Sequence, residues 1–332
     1  MRSVLAIGLL LFPLSLRAEE RRPDSPFLNL LWLIHATGAP EAADPAHDAQ
    51  TKAKIAAAFG KGKPLTLQTA DGLITPETFA RLAGDDDQLD PLEVQQFLDR
   101  QIPPSRKALH PALASHARLL TTGFDQIGES RRESMRDLVT WIVENYKPGE
   151  ELPLVFICTG NSRRSMLGSS LGNLAATHYG LGSIRCYSGG TKPSAFNQRT
   201  IATLREIGFV IEPTGKRAES GADVANPIYK VCCGDSVQGS PQEFFEFSKR
   251  FDDPQNPQNG FAAIMVCSEA DAACPSVPGA GIRISLPYLD PKLYDDTEFE
   301  QRKYAERRDD IGRTLMAVLM QARLKLVSKG RL

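Results

Sequence analysis

In Cys158-Thr159-Gly160-Asn161-Ser162-Arg163-Arg164-Ser165 a thiol precedes a guanidinium by six positions, between an apolar run and a helix-forming run. A loop joining a strand to a helix start aims backbone N–H groups and the positive helix end at one spot. Such a nest binds a tetrahedral oxyanion and lowers the pKa of a thiol held in it. Arg164 can fork onto two of the anion's oxygens, and Ser165 can donate a hydrogen bond that holds the thiolate or helps it leave. Thr159, Gly160, Asn161, Ser162 and Arg163 form the loop between them. Cys158 then reads as a nucleophile toward phosphorus or arsenic.

The surrounding pattern supplies the elements that must position these groups. Residues 152–158 read as a strand, 165–178 as a helix, 184–188 as a strand and 196–207 as a helix. Strands follow at 261–267 and 282–286, and a long helix at 297–326. Such alternation predicts an α/β fold, a parallel sheet with helices on both faces. Thr297-x-x-Glu300 is expected to cap the last helix, with Ile311, Leu315, Val318 and Ala322 on its buried face. Ahead of the sheet, Ser130-x-x-Glu133 reads as a capping box, and Met135, Leu138, Trp141 and Ile142 recur at helical spacing.

The stretch from Cys158 to Ser165 resembles the phosphate loop of the low-molecular-weight protein tyrosine phosphatases and of the thioredoxin-coupled arsenate reductases that share their fold. The resemblance covers roughly residues 150–325, with extra sequence between 212 and 258. It implies that Asp290, in Asp290-Pro291, is the general acid that protonates the leaving oxygen and then activates water. It also singles out Cys267 and Cys274, since reductases of this type carry such a pair with six residues between them. By that resemblance Cys158 attacks arsenate, Cys267 attacks Cys158 to release arsenite, and Cys274 closes a 267–274 disulfide. A structural 267–274 bridge is the competing reading, because oxidising compartments form such bridges. Ser162 agrees with the reductases, whereas the phosphatases usually carry a bulkier apolar residue there.

The substrate is accordingly an oxyanion: arsenate first, a phosphomonoester as the alternative. A non-catalytic oxyanion- or phosphopeptide-binding module is the rival from another class. A reductase also implies a thioredoxin-like thiol donor. The chain departs from the family at Arg163, where a second cysteine is usual. Arg163 either adds charge near the anion site or faces solvent. Tyr294 can flank an aromatic substrate, as a phosphatase requires.

Within residues 1–18 an early Arg2, an apolar core and Leu16-Arg17-Ala18 read as a secretory signal, which implies export, as to a periplasm, and no membrane segment after cleavage. Residues 19–104 are expected to form a helical region of their own, and 105–332 the catalytic domain, with a linker near Pro103-Pro104. Asp71 to Phe79 and Asp85 to Phe97 each run from an acidic turn through one aliphatic residue to a Pro-containing helix start. The pair resembles degenerate EF-hands, with Ile74 and Leu89 at the paired aliphatic position and Glu93 at the last ligand position. Calcium needs six to eight oxygens and these loops lack several, so no bound metal and no cofactor are expected.

The 332 residues carry 39 Lys and Arg against 40 Asp and Glu, which argues against a nucleic-acid binder relying on bulk charge. The five histidines, His35, His47, His110, His116 and His178, show no metal-ligand spacing. Cys232 and Cys233 follow Tyr229 and Val231 in an expected strand and read as structural, and Cys186 reads as core. Ser188 to Thr191 is a pocket wall or a tight turn. Arg131-Arg132 and Arg307-Arg308 read as solvated helix faces.

Overall fold

A computed structural model of the chain describes residues 30, 31, 34, 44–59, 64–70, 74–83, 87–90, 93–94, 103–219, 225–235 and 243–332. The expected signal and most of the expected acidic turns lie outside these residues. The first elements are α1 (Pro45–Phe59), β1 (Leu65–Thr66), α2 (Leu67–Ala70), α3 (Pro76–Leu82) and β2 (Gln88–Leu89). β1 and β2 pair antiparallel, and the residue opposite Leu89 is Leu65, not the expected Ile74. Ile74 instead sits just before α3, where Thr75 Oγ1 accepts the Thr78 N–H at 3.2 Å. Glu93, expected at a calcium-ligand position, accepts the Asp90 N–H at 2.9 Å, while Asp90 accepts the Glu93 N–H at 2.9 Å. That reciprocal pair is a capping box, so the Glu93 carboxylate closes a helix start.

Next come α4 (Pro104–Lys107), α5 (Pro111–Thr121), α6 (Arg132–Asn145), β3 (Leu152–Cys158), α7 (Arg164–Tyr179), β4 (Ile184–Gly190) and α8 (Gln198–Glu206). Then follow β5 (Val210–Arg217), β6 (Pro227–Cys232), β7 (Glu243–Glu246), β8 (Phe261–Met265), α9 (Ser268–Ala273), β9 (Ala280–Ser285) and α10 (Glu300–Ser328). The expected linker is a packed segment: Ser105 and Arg106 of α4 are buried, and Ser105 Oγ donates to the Thr177 carbonyl at 2.8 Å. Neither expected serine or threonine box forms. A 3-10 turn over Glu129–Arg131 takes up Ser130, so α6 starts without a side-chain cap. At α10 the N-cap is Phe299, and Glu300 accepts the N–H of Asp296, one residue before Thr297, at 2.6 Å.

The central sheet is parallel, in the order β4-β3-β8-β9, with helices packed against it. β3 lies in its middle and is buried throughout but for Pro153, which is why its sequence is a continuous apolar run. α7 lies close on the sheet because it has no side chain where it crosses. A Cβ at Gly168 would stand 2.5 Å from the Phe156 ring, and one at Gly172 would stand 2.6 Å from Cys186 Sγ. α10 packs along α7, and Gly312 meets Leu120 and Leu171. Phe156, Tyr179, Phe196, Phe261 and Tyr304 are fully buried around these contacts, each stabilising the fold by about 1.5–3 kcal/mol over exposure.

The extra sequence between α8 and β8 forms its own sheet, antiparallel in the order β5-β6-β7. Adjacent side chains on a strand point to opposite faces, and Cys233, just past β6, is buried while Cys232 is half-buried. Among the described residues no helix is long and apolar enough to cross a membrane.

Candidate active site

β3 ends at Cys158 and α7 begins at Arg164, so the loop between them sits at the carboxyl edge of the sheet, where open α/β folds place ligands. Cys158 is buried, with Sγ 3.1 Å from Ser165 Oγ. Asn161 adopts φ 41°, a left-handed backbone that asparagine tolerates better than most residues. Its side chain holds it there. Nδ2 donates to Ser165 Oγ at 2.9 Å, and Oδ1 accepts the Lys249 N–H at 2.8 Å. Ser248 Oγ donates to the Gly160 carbonyl at 3.0 Å, so the segment after β7 braces the loop from behind.

β4 braces it too. Thr191 N donates to the Cys158 carbonyl at 3.1 Å, and Lys192 N donates to the Thr159 carbonyl at 2.8 Å. A Cβ on Gly190 would stand 2.7 Å from Thr159 O and 2.8 Å from Asn161 N. Residues 188–192 therefore hold the loop's back and do not line its mouth.

Arg164 is buried and reaches the far side of the mouth. Nη1 donates to the Tyr288 carbonyl at 3.0 Å and Nη2 to Asp290 Oδ2 at 2.6 Å, with Glu269 at 3.6 Å. Its Nε is buried with no acceptor among the described residues, which leaves a charged donor for an incoming oxyanion. The Tyr288 ring lies under Arg131 at 4.2 Å, and Arg131 forks onto Asp310 at 2.6 and 3.0 Å. Arg131 is thus a structural ion pair and not a solvated face. The same holds for Arg308, which is buried and bonded to the Thr203 carbonyl at 2.9 Å and to Glu206 at 2.9 Å.

Arg163 takes neither of its expected roles. Nε donates to Tyr304 Oη at 2.7 Å and Nη2 to Asp295 Oδ2 at 2.8 Å, while Tyr304 Oη donates to Asp295 Oδ1 at 2.8 Å. The residue that replaces the usual cysteine ties the loop to the segment carrying Asp290. Nothing local in the sequence signals this contact, because its partners lie more than a hundred residues away. Leu289 and Leu293, 72% and 75% exposed, flank Asp290 at the rim. Tyr294 stands beside Lys303 instead, with Nζ 5.3 Å from its ring.

Cys267 lies two residues past β8, which pairs with β3. Its Sγ is 3.6 Å from Thr159 Oγ1, inside the site, and accepts the Ala270 N–H at 3.3 Å as the N-cap of α9. Burial holds this thiol above its usual range, against the pull of Thr159, the Ala270 N–H and Arg164. Cys274 caps the other end of α9 and is half-buried. No disulfide joins any of the six cysteines. A helical span of seven steps at about 1.5 Å each separates the two Cα atoms by roughly 10 Å. A disulfide requires less than about 7 Å, so the geometry contradicts a standing structural bridge between Cys267 and Cys274.

Residues 153–226 match the family model described as low molecular weight phosphotyrosine protein phosphatase. That span runs from β3 through the loop, α7, β4, α8 and β5 and stops one residue short of β6. This part of the chain is thus similar to that family. Asp290, Cys267 and Cys274 lie beyond it. A search of curated proteins finds no match to the chain.

Proposed function

We propose that the protein reduces arsenate, with Cys158 as nucleophile and Cys267 and Cys274 as the electron source. The supporting observation is the position of Cys267 Sγ, 3.6 Å from Thr159 Oγ1 of the oxyanion loop, with a second thiol parked at the far end of a six-residue helix. Cys158 thiolate attacks arsenic and water leaves, giving an arsenic–sulfur adduct. Cys267 thiolate then attacks Cys158 Sγ, so the sulfur–arsenic pair of electrons departs with arsenite. Cys274 thiolate attacks Cys267 Sγ, forming the 267–274 disulfide and releasing Cys158 thiolate. Two thiols are oxidised and one arsenic(V) is reduced. An external dithiol of the thioredoxin-like class then reopens the disulfide.

α9 links these steps. Its N-cap acceptor is the sulfur that reacts, so forming the 158–267 bond weakens the cap, which is worth about 1 kcal/mol. The helix then opens and brings Cys274 within reach.

A second reading, phosphomonoester hydrolysis, is favoured by Asp290. Its carboxyl lies 2.6 Å from Arg164, where it can protonate a leaving oxygen beside the exposed Leu289 and Leu293. We propose, too, that the chain is exported through residues 1–18; intact mass of the mature protein tests this, and a retained Met1 contradicts it.

The deciding experiment is a thiol count by mass spectrometry on the reduced protein, before and after arsenate. Loss of two thiols, mapped to Cys267 and Cys274 and abolished by Cys158→Ser, establishes the relay. No arsenate-dependent loss, with aryl-phosphate turnover that requires Asp290, establishes the phosphatase instead. Oxyanion affinity unchanged in Cys158→Ser, with no activity in the parent protein, leaves a binding module.

A further inference from the structure

Away from the oxyanion loop, a cavity of about 310 Å³ opens between β4, the outer strand of the central sheet, and β7, the outer strand of the inserted one. Two sheet edges facing each other suggest a slot for an extended peptide, but β4 is closed to one. Most of its outward backbone groups are already used. Ile184 N bonds to Leu181 O at 3.0 Å, and the Asn173 side chain takes both the N–H and the carbonyl of Cys186 at 3.0 and 2.9 Å. Asn256 Nδ2 donates to the Ser188 carbonyl at 3.1 Å, and Gly190 exchanges bonds with Lys249 and Phe251 at 2.9 and 3.1 Å. The cavity therefore offers side chains, not a strand edge, and its size is that of a small-molecule site.

Two of those side chains are charged and buried. Glu246 is 2% exposed, and its two oxygens accept the hydroxyls of Ser169 and Ser188. Lys249 is 4% exposed, with Nζ 4.4 Å from the centre of the Phe247 ring. Among the described residues its ammonium makes no hydrogen bond and no ion pair, and the charges of Glu246 and then Asp253 oppose the effect of its burial. Burying an ammonium without a partner is costly, and burial indeed lowers the Lys249 pKa. The remaining wall is mixed: Phe244 and Phe247 supply aromatic surface, while Arg185 is bonded to the Gly182 and Ile184 carbonyls and Glu243 is paired with Lys230.

We propose that this cavity binds a small organic monocarboxylate, its carboxylate on Lys249 Nζ and its apolar body against Phe244 and Phe247. The buried Lys249 ammonium can take one carboxylate, and the acidic side chains of Glu151, Glu243 and Glu246 in the same lining disfavour a dianion such as phosphate or arsenate. The site is distinct from the oxyanion loop but mechanically joined to it, since the Lys249 N–H holds Asn161 Oδ1 at 2.8 Å.

Calorimetric titration of benzoate into the full chain, with the oxyanion loop saturated by phosphate, tests this. The expected result is saturable one-to-one binding with a Kd in the millimolar range or tighter, and none for the neutral isostere benzamide. Lys249→Met should weaken benzoate roughly thirtyfold or more, the usual scale for removing one partner of a buried charge pair. Phe244→Trp, which fills the cavity and keeps the charge, should weaken it as well, with thermal melting showing both variants folded. Absence of saturation, equal binding of benzamide, full binding by both folded variants, or displacement of benzoate by phosphate would each overturn the proposal.

Discussion

At Gly190 there is no room for a methyl group. Its Cβ would press on Thr159 O and Asn161 N at 2.7 and 2.8 Å, and these are backbone atoms of the oxyanion loop itself. Gly190→Ala should therefore lower oxyanion turnover by about a hundredfold or more while the far-ultraviolet circular dichroism stays that of the parent. A variant with near-parental turnover would show that the loop tolerates displacement. Cys267 makes a second prediction. Its thiol lies above the usual range, so little thiolate exists at neutral pH. Arsenate-dependent thiol loss should rise with pH by up to about tenfold per unit, from about pH 7 to about pH 9. A flat profile would mean that attack by Cys267 does not limit the rate. Cys158 and Arg164 were legible because one loop sets both their spacing and their chemistry. Arg163 was not, because Asp295 and Tyr304 reach it only through the tertiary fold.

At the scale of elements, α9 is short and externally held. Arg283 of β9 donates to the Cys274 carbonyl at 2.9 Å and to the carbonyl and carboxylate of Asp271 at 2.7 and 2.6 Å. Those bonds resist the unwinding that joins Cys274 to Cys267. Arg283→Gln should speed 267–274 disulfide formation under a mild oxidant by about tenfold, the equivalent of losing one or two net hydrogen bonds. An unchanged rate, followed by mass spectrometry, would show that α9 opens from its other end. The strands and helices of the central sheet were legible to within a few residues because each is a buried, strongly patterned run. The inserted sheet was legible only at β6, through Tyr229 and Val231. Seven of the eight residues of β5 fall short of full burial, so it carries no clear apolar alternation, and Pro213 and Gly215 interrupt it. The two expected capping boxes failed because a 3-10 turn and a two-residue shift moved the true helix starts past them.

Over the whole molecule, the part before residue 100 docks through a few charged groups. Asp48 is fully buried and accepts the Asp125 N–H at 3.0 Å, and Lys52 pairs with the Asp125 carboxylate at 2.7 Å. Neither contact could be read from sequence, since an isolated Asp in a polar helix looks solvated. Stability should also respond to alkali. Burial raises the Cys233 thiol to about 12, above the value near 9 it has when unfolded. A raised folded pKa stabilises fully below the unfolded value, and that stabilisation is lost as pH climbs from about 9 toward 12. Cys233→Ala should therefore show a shallower fall in melting temperature across that window than the parent. Parallel curves would mean that Cys233 ionises as readily in the folded chain as in the unfolded one.

α9 also decides how the protein ages. Its two end thiols are the pair most readily joined in a flexible chain, yet they are held a helix length apart while the fold is intact. Dissolved oxygen can then staple them only during brief openings of six residues, so the clock of spontaneous inactivation is the opening rate of that one turn and a half. Storage in air should thus be limited by temperature and mild denaturant far more than by oxidant concentration, and a dithiol reductant should set the clock back to zero.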